Sequence, residues 1–398
     1  MKVIIWGAGR YLFLVLEALR EDTEVVAIVD SDPSKHGKII NNIKVILPFE
    51  LDNYRYDAII ISPLKSASSI EDYLETDKYC NKRIINIWKC EEETDILKSR
   101  NEIILDSIEQ KEIYRARIDS APYEWGLRKT PEILSAMLLL KKVMEDKCSL
   151  CRYGDGEFNI MLNDGNPWFQ EYHPGLAQRL IQIINEKNDH VLIAIAQNFR
   201  EFEKYTEDAA DAIRLYMKGE KRKRILSLLP DRTFYDAYVS RPYIIYRDKN
   251  YADTIFRLIK SVWNDRNVLI VEGKYSRLGV GNDLFSTARD IKRIICPSSD
   301  AWHMYDAILR KVIEYAKLHK CLVCISLGPT ATVLAHDLGV VGVQALDIGQ
   351  VDNEYEWWKV HASERVQING KMVAEVSTYI DDTCMPQSYY DQIVEYIL

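Results

Sequence analysis

One pattern limits the fold more than any other feature of this chain. In its second half an apolar run leads repeatedly into a loop of Gly, Asp, Asn, Ser or Thr, and then into helix-forming sequence. The instances are "CSLCRYGDGEF", "HVLIAIAQNF", "NVLIVEGKYSRLGVGNDLF", "RIICPSSDAW", "CLVCISLGPTATVL" and "VQALDIGQVDNEYEWW". Continuous apolar runs alternating with helices describe strands buried on both faces, hence a parallel α/β sheet. Ligands of such sheets bind beyond the carboxyl ends of the strands, so these polar loops are expected to converge on one crevice.

The first 90 residues repeat the alternation with "KVIIW", a helix from Arg10 to Leu19, "EVVAIVD", "YDAIIIS", a helix through Ile70 to Leu74, and "RIINIW". The turn Gly7-Ala8-Gly9 follows the first strand, and Asp30 ends the second, where a ribose-binding acid of a dinucleotide site would stand. Leu12 occupies the place of the third glycine, so Gly7, Gly9 and Asp30 are weak cofactor candidates and NAD is not expected. Residues 91–124, charged and without glycine, read as a helical linker that offers a dimer contact. "SAPYEWG" reads as its break, and Thr130-Pro131-Glu132 as the start of the next helix. The expectation is α/β: two Rossmann-like domains with mainly parallel sheets, residues 1–90 and 125–398, joined by that helix.

Composition narrows the function classes. With 52 basic against 60 acidic residues the net charge is −8, which excludes a general nucleic-acid binder. The basic run Lys221 to Arg224 reads as a solvated segment. No apolar stretch approaches the roughly 20 residues of a membrane span, and the apolar start is too short for a signal peptide, so a cytoplasmic protein is expected. The eight cysteines, Cys80, Cys90, Cys148, Cys151, Cys296, Cys321, Cys324 and Cys384, fit reduced thiols there. Cys321 and Cys324 lie in a strand reading, where residues three apart face opposite sides, so a zinc site is not expected.

In "CRYGDGEF", Asp155 and Glu157 stand one residue apart between glycines. Such a pair suits one hard cation that keeps positions for a diphosphate. The plain alternative is a helix start, with Asp155 as cap and Glu157 as a first-turn acid. "SLGPTATVL" puts Gly328, Pro329 and Thr330 at a helix start suited to phosphate, without the lysine of an ATPase loop. In "EGKYSRLGVGNDLF", Arg277 offers charge for a leaving diphosphate, and Asn282 and Asp283 read as helix caps. "CPSSDAW" brings Asp300 and Trp302, a carboxylate and an aromatic plate. In "SRPY", Arg241 suits phosphate or a bracing role. Asp347 and Asp352 stand at a strand end where a general base is useful.

Taken in order, "RYGDGEF", "SRPY", "EGKYSRLGVGNDLF", "PSSDAW", "LGPTATVLAHDL" and "ALDIG" resemble the GT-D type glycosyltransferases of bacteria over roughly residues 125–380. The resemblance implies transfer of a hexose from a nucleoside-diphosphate sugar, UDP-glucose or UDP-galactose, to a glycan, glycoprotein or surface-polymer acceptor. It implies Mn²⁺ or Mg²⁺ at the Asp-x-Glu motif, here Asp155 and Glu157, and either Asp300 or Asp347 as the proton acceptor. Arg152, Gly154, Arg241, Arg277, Asn282, Trp302, Gly328, Pro329, Thr330 and Gln350 are its expected substrate contacts. The family's loop commonly carries His where Gln350 stands, and Gln does not titrate. A second copy or a partner glycosyltransferase is a further expectation. Two other classes remain: an NAD-dependent sugar-nucleotide oxidoreductase or epimerase, and a non-catalytic sugar-nucleotide scaffold. The first needs a Tyr-x-x-x-Lys constellation that the N-terminal half lacks.

Overall fold

The computed structural model describes residues 1–9, 11–63, 66–75, 79, 82–89, 96, 102–165, 167, 169–373, 376 and 385–398. They form two compact units, Met1–Tyr114 and Arg115–Leu398, whose boundary falls inside the helix Glu102–Glu124. Arg10, most of the segment 90–101, and Cys80, Cys90 and Cys384 lie outside the described residues.

In the first unit, β1 (Lys2–Trp6), β2 (Glu24–Val29), β3 (Ile39–Ile40), β4 (Ile43–Ile46), β5 (Ala58–Ile61) and β6 (Arg83–Asn86) form a sheet in the order β3-β4-β2-β1-β5-β6. The pairs are parallel except β3 with β4. Along β1, Val3 and Ile5 pack with Leu12 and Val15 on one face. Ile4 and Trp6 pack with Ile70 and Leu74 on the other. The period-two alternation of an all-apolar strand thus requires a helix on each face.

The second unit carries β7 (Glu132–Leu134), β8 (Ser149–Tyr153), β9 (Val191–Ile195), β10 (Thr233–Asp236), β11 (Asn267–Gly273), β12 (Asp290–Cys296), β13 (Leu322–Ser326), β14 (Ala345–Asp347) and β15 (Ile393–Tyr396). Their order is β15-β12-β11-β13-β14-β8-β9-β10-β7, and every pairing is parallel. The sheet is buried on both sides, and Cys321 and Cys324 go to opposite faces. From adjacent strands β11 and β13 the chain leaves in opposite directions, to β12 and to β14; β14 and β8 diverge in the same way. Crevices open at such switch points.

Four local expectations need correction. No helix starts at Thr130: Glu132–Leu134 pairs with Thr233–Tyr235 as an edge strand, and the helix begins at Ala136 with Ser135 as its cap. The helix Glu102–Glu124 runs through Ser120, Ala121 and Pro122; Pro122 sits in its last turn, where its carbonyl accepts from Leu127 and Arg128. No helix follows Asn282 and Asp283; the Asn282 side chain instead closes a turn by accepting from the Leu284 amide. The basic run Lys221 to Arg224 opens a helix, and its Arg222 is buried over the Tyr123 ring instead of solvated.

Candidate active site

The loops after β8, β10, β11, β12, β13 and β14 meet in a crevice lined by Arg152, Asp155, Glu157, Arg241, Asp300, Gly328, Pro329, Asp347 and Gln350, among others. Sequence-distant segments therefore arrive together, as the parallel sheet requires.

At the end of β8, Gly154 is the N-cap of the helix Asp155–Leu162. The Glu157 carboxylate reaches back to the Gly154 amide, with Oε2 accepting at 2.7 Å. The cap is therefore made by Glu157, and the alternative in which Asp155 caps the helix does not hold. The Asp155 carboxylate is exposed and has no hydrogen-bond partner among the described residues. Burial, then the charge of Asp347, raises the Glu157 carboxyl to about 7 against the Gly154 amide and Arg152.

Arg152 makes three contacts, two of them to Asp347 at the end of β14 and one to Ser240 after β10. Its Nε donates to the Asp347 carbonyl at 2.8 Å, its Nη2 to Asp347 Oδ1 at 2.8 Å, and its Nη1 to Ser240 Oγ at 2.7 Å. Asp347 also accepts from the Gly349 amide at 3.1 Å and from Thr332 Oγ1 at 3.3 Å. Burial pushes the Asp347 carboxyl up, and Arg152 opposes that. Only glycine fits at position 349: φ is +47°, and a Cβ there would stand 2.1 Å from Arg152 Nη2.

The other candidates divide. Arg241 lines the crevice, with Nη2 3.5 Å from Gln350 Oε1. Gly328, at φ +53°, lets Phe169 approach where a Cβ would lie 2.7 Å away. Thr330 is wholly buried and donates to Gln170 Oε1 at 3.1 Å. Asp300 Oδ1 accepts from the Glu171 amide and tethers that loop. Trp302 gives its indole N–H to His173 Nδ1 at 3.0 Å, outside the crevice lining. Arg277 is also outside it: the side chain is buried and Nη1 donates to the Gly370 carbonyl at 2.6 Å. Asn282 is engaged by Asp352 and Glu356, and buried Asp352 pairs with Lys371 at 2.6 Å. Ser276, Ser298, Ser299, Ser326 and Asn353 line the crevice without having been singled out. Their signal was position alone, each following a strand end or opening the helix after β14.

In the first unit the glycine turn is closed on itself. Asp30 Oδ2 accepts from the Ala8 amide at 2.8 Å and from Lys35 at 2.9 Å, and Oδ1 accepts from the Asp32 amide at 2.9 Å. A Cβ at Gly7 would stand 2.5 Å from Ser62 Oγ, so the glycine serves strand packing. Asp30 thus spends both oxygens on the turn that a dinucleotide would need to enter.

Comparison with known proteins follows the same division. The family "Glycosyltransferase GT-D fold" matches residues 150–376, more than half of the chain. The chain belongs to this family. Residues 1–85 match the family "C2185-like, N-terminal". The chain is 38% identical over 268 residues to a probable glycosyl transferase Gly of Streptococcus gordonii, and 37% identical over 269 residues to the glycosyltransferase GlyD of Streptococcus pneumoniae. Those matches take in 66% and 65% of this chain but 38% and 32% of the relatives, so it spans about a third of their length. A solved structure described as domain of unknown function 1792 with a distinct glycosyltransferase fold superposes with TM-score 0.64 at 34% identity, over 72% of this chain and 99% of its own. A glycosyltransferase from Streptococcus sanguinis does so with TM-score 0.64 at 36% identity, over 68% and 100%. No helix among the described residues is long and apolar enough to cross a membrane.

Proposed function

We propose that the crevice transfers a hexose from a nucleoside-diphosphate sugar, with UDP-glucose or UDP-galactose as donor, to a hydroxyl of a glycan or glycoprotein. The observation that carries this reading is Asp155, a carboxylate without a protein partner, at the mouth of a crevice whose cations are Arg152 and Arg241. No cluster of three or more His, Cys, Asp or Glu among the described residues is arranged to hold a metal by itself. Two carboxylates, one of them half committed to a cap, suit Mg²⁺ or Mn²⁺, which take their remaining ligands from water and phosphate. When bound between Asp155 and Glu157, such an ion supplies electrostatic stabilisation to the leaving diphosphate.

The protein's own groups do the rest. Arg241 faces the diphosphate, and Arg152 is held by Asp347 and Ser240 so that its charge is fixed before substrate arrives. The acceptor oxygen bonds to the anomeric carbon while the bond to the diphosphate oxygen breaks, its electron pair leaving on UDP. Asp347 takes the hydroxyl proton; its raised pKa suits that role. Asp300 follows β12, four strand intervals from β8, or roughly 19 Å at about 4.8 Å each. That distance suits the nucleoside better than the reacting carbon. The enclosed volume is about 170 Å³, below the roughly 300 Å³ at which ligand pockets begin, so the donor lies along the strand ends with one side open. Calorimetry tests the donor assignment: UDP is expected to bind with Mn²⁺ and to bind at least tenfold more weakly with chelator. Equal affinity in both removes the metal from the account.

A further inference from the structure

The donor crevice occupies the β8, β14, β13, β11 and β12 ends of the sheet, with Arg241 reaching in from beyond β10. On the opposite side of Asp155 lie β9 and β10; past β10 only Arg241 among the described residues reaches that crevice, whereas Asn198 after β9 and Tyr238 after β10 do not line it. Tyr238, just after β10, donates its hydroxyl to Asn198 Oδ1 at 2.7 Å. Asn198, three residues past the end of β9 at Ile195, has a side-chain NH₂ that makes no hydrogen bond among the described residues and so is free to donate to a ligand. Beside it, buried Gln197 leaves its side-chain oxygen without a hydrogen bond. Tyr216 Oη lies 3.3 Å from the Asp155 carbonyl and 3.2 Å from Asn159 Oδ1. The adjacency of β8, β9 and β10 brings the segments that carry Asp155, Asn198 and Tyr238 to the same end of the sheet.

A buried polar group left unsatisfied costs about 1–3 kcal/mol, and such groups in native proteins call for a partner or a role. These hydrogen-bonding groups are neutral, and phenols and carboxamides suit uncharged hydroxyls, whereas the donor side presents arginines. We propose that Asn198, Tyr216 and Tyr238 form the acceptor subsite, a shelf beside Asp155 that binds a neutral sugar through its hydroxyls. The assignment rests on the donor reading above.

The test is saturation-transfer NMR on the full chain loaded with UDP and diamagnetic Mg²⁺, using glucose, galactose and N-acetylglucosamine as probes. At least one sugar is expected to receive saturation, reduced fivefold or more in Asn198→Ala and Tyr238→Phe. The affinity for UDP, measured by calorimetry, reports on the donor crevice of the same variants. Tyr216→Phe serves where Asn198→Ala does not fold, because it removes one hydroxyl and no packing. Unchanged saturation in the folded variants, or no saturation of any probe by a wild type that binds UDP, overturns the shelf. A wild type that does not bind UDP overturns the donor reading, and the shelf with it.

Discussion

Replacing Gly349 with alanine probes the close approach of Arg152 to the turn after β14. The cost has two parts. An L-residue at φ +47° is strained by about 1–2 kcal/mol. The new Cβ, 2.1 Å from Arg152 Nη2, also forces the guanidinium away from Asp347. Hydrogen bonds to charged groups contribute about 1.5–3 kcal/mol each; Arg152 is 17% exposed, so part of that is recovered in solvent. The sum is about 2–5 kcal/mol, or roughly 4–20 °C in Tm at about 2–4 °C per kcal/mol. Gly342→Ala is the control, since its φ is +78° and nothing lies within 4 Å of its Cβ. It carries the backbone strain alone, about 1–2 kcal/mol. Urea unfolding and melting of both variants, with UDP calorimetry, measure the difference. Gly349→Ala should be the worse by about 1–3 kcal/mol and should weaken UDP binding. Equal destabilisation by the two would refute the claim that Arg152 fills the space above Gly349.

Further outcomes follow from the same contacts. Glu157→Ala should lower stability by about 1 kcal/mol through the lost Gly154 contact, whereas Asp155→Ala should melt with the wild type; differential scanning calorimetry separates them. Arg241→Ala should raise KM for the donor tenfold or more, while Arg277→Ala, which strips a buried donor from the Gly370 carbonyl, should lower Tm without a selective KM effect. Glu272→Ala should cost about 3–5 kcal/mol in urea unfolding, because it leaves Arg293 buried at the β11–β12 junction without its counter-charge. NADH fluorescence should show no binding at millimolar cofactor, since both Asp30 oxygens are taken by the turn they would have to release.

The sheet was legible because burial on both faces writes itself into a strand as an unbroken apolar run, visible in "HVLIAIA" and "CLVCIS". β7 was not, because three residues are too short to show a period and its partner lies 101 positions away at Thr233. Asp155 and Glu157 were legible as a pair because their spacing is local. Which of the two caps the helix was not, since a carboxylate at either position suits a first turn. Arg277 and Arg241 look alike in sequence, each beside a turn. Their difference is set by Gly370 and Gln350, 93 and 109 residues away. The same holds for Arg152 and Asp347, 195 residues apart, a pairing that only the adjacency of β8 and β14 creates.

The central claim is that Asp155 serves a metal-dependent sugar transfer and not the fold. It is tested most directly by measuring nucleotide release from a panel of nucleotide sugars, with Mn²⁺ or chelator, for wild type and Asp155→Asn side by side. The account predicts Mn²⁺-dependent release of UDP from UDP-glucose or UDP-galactose, reduced at least a hundredfold in the variant at an unchanged Tm. Equal release by the two proteins, or release that chelator does not affect, would contradict it.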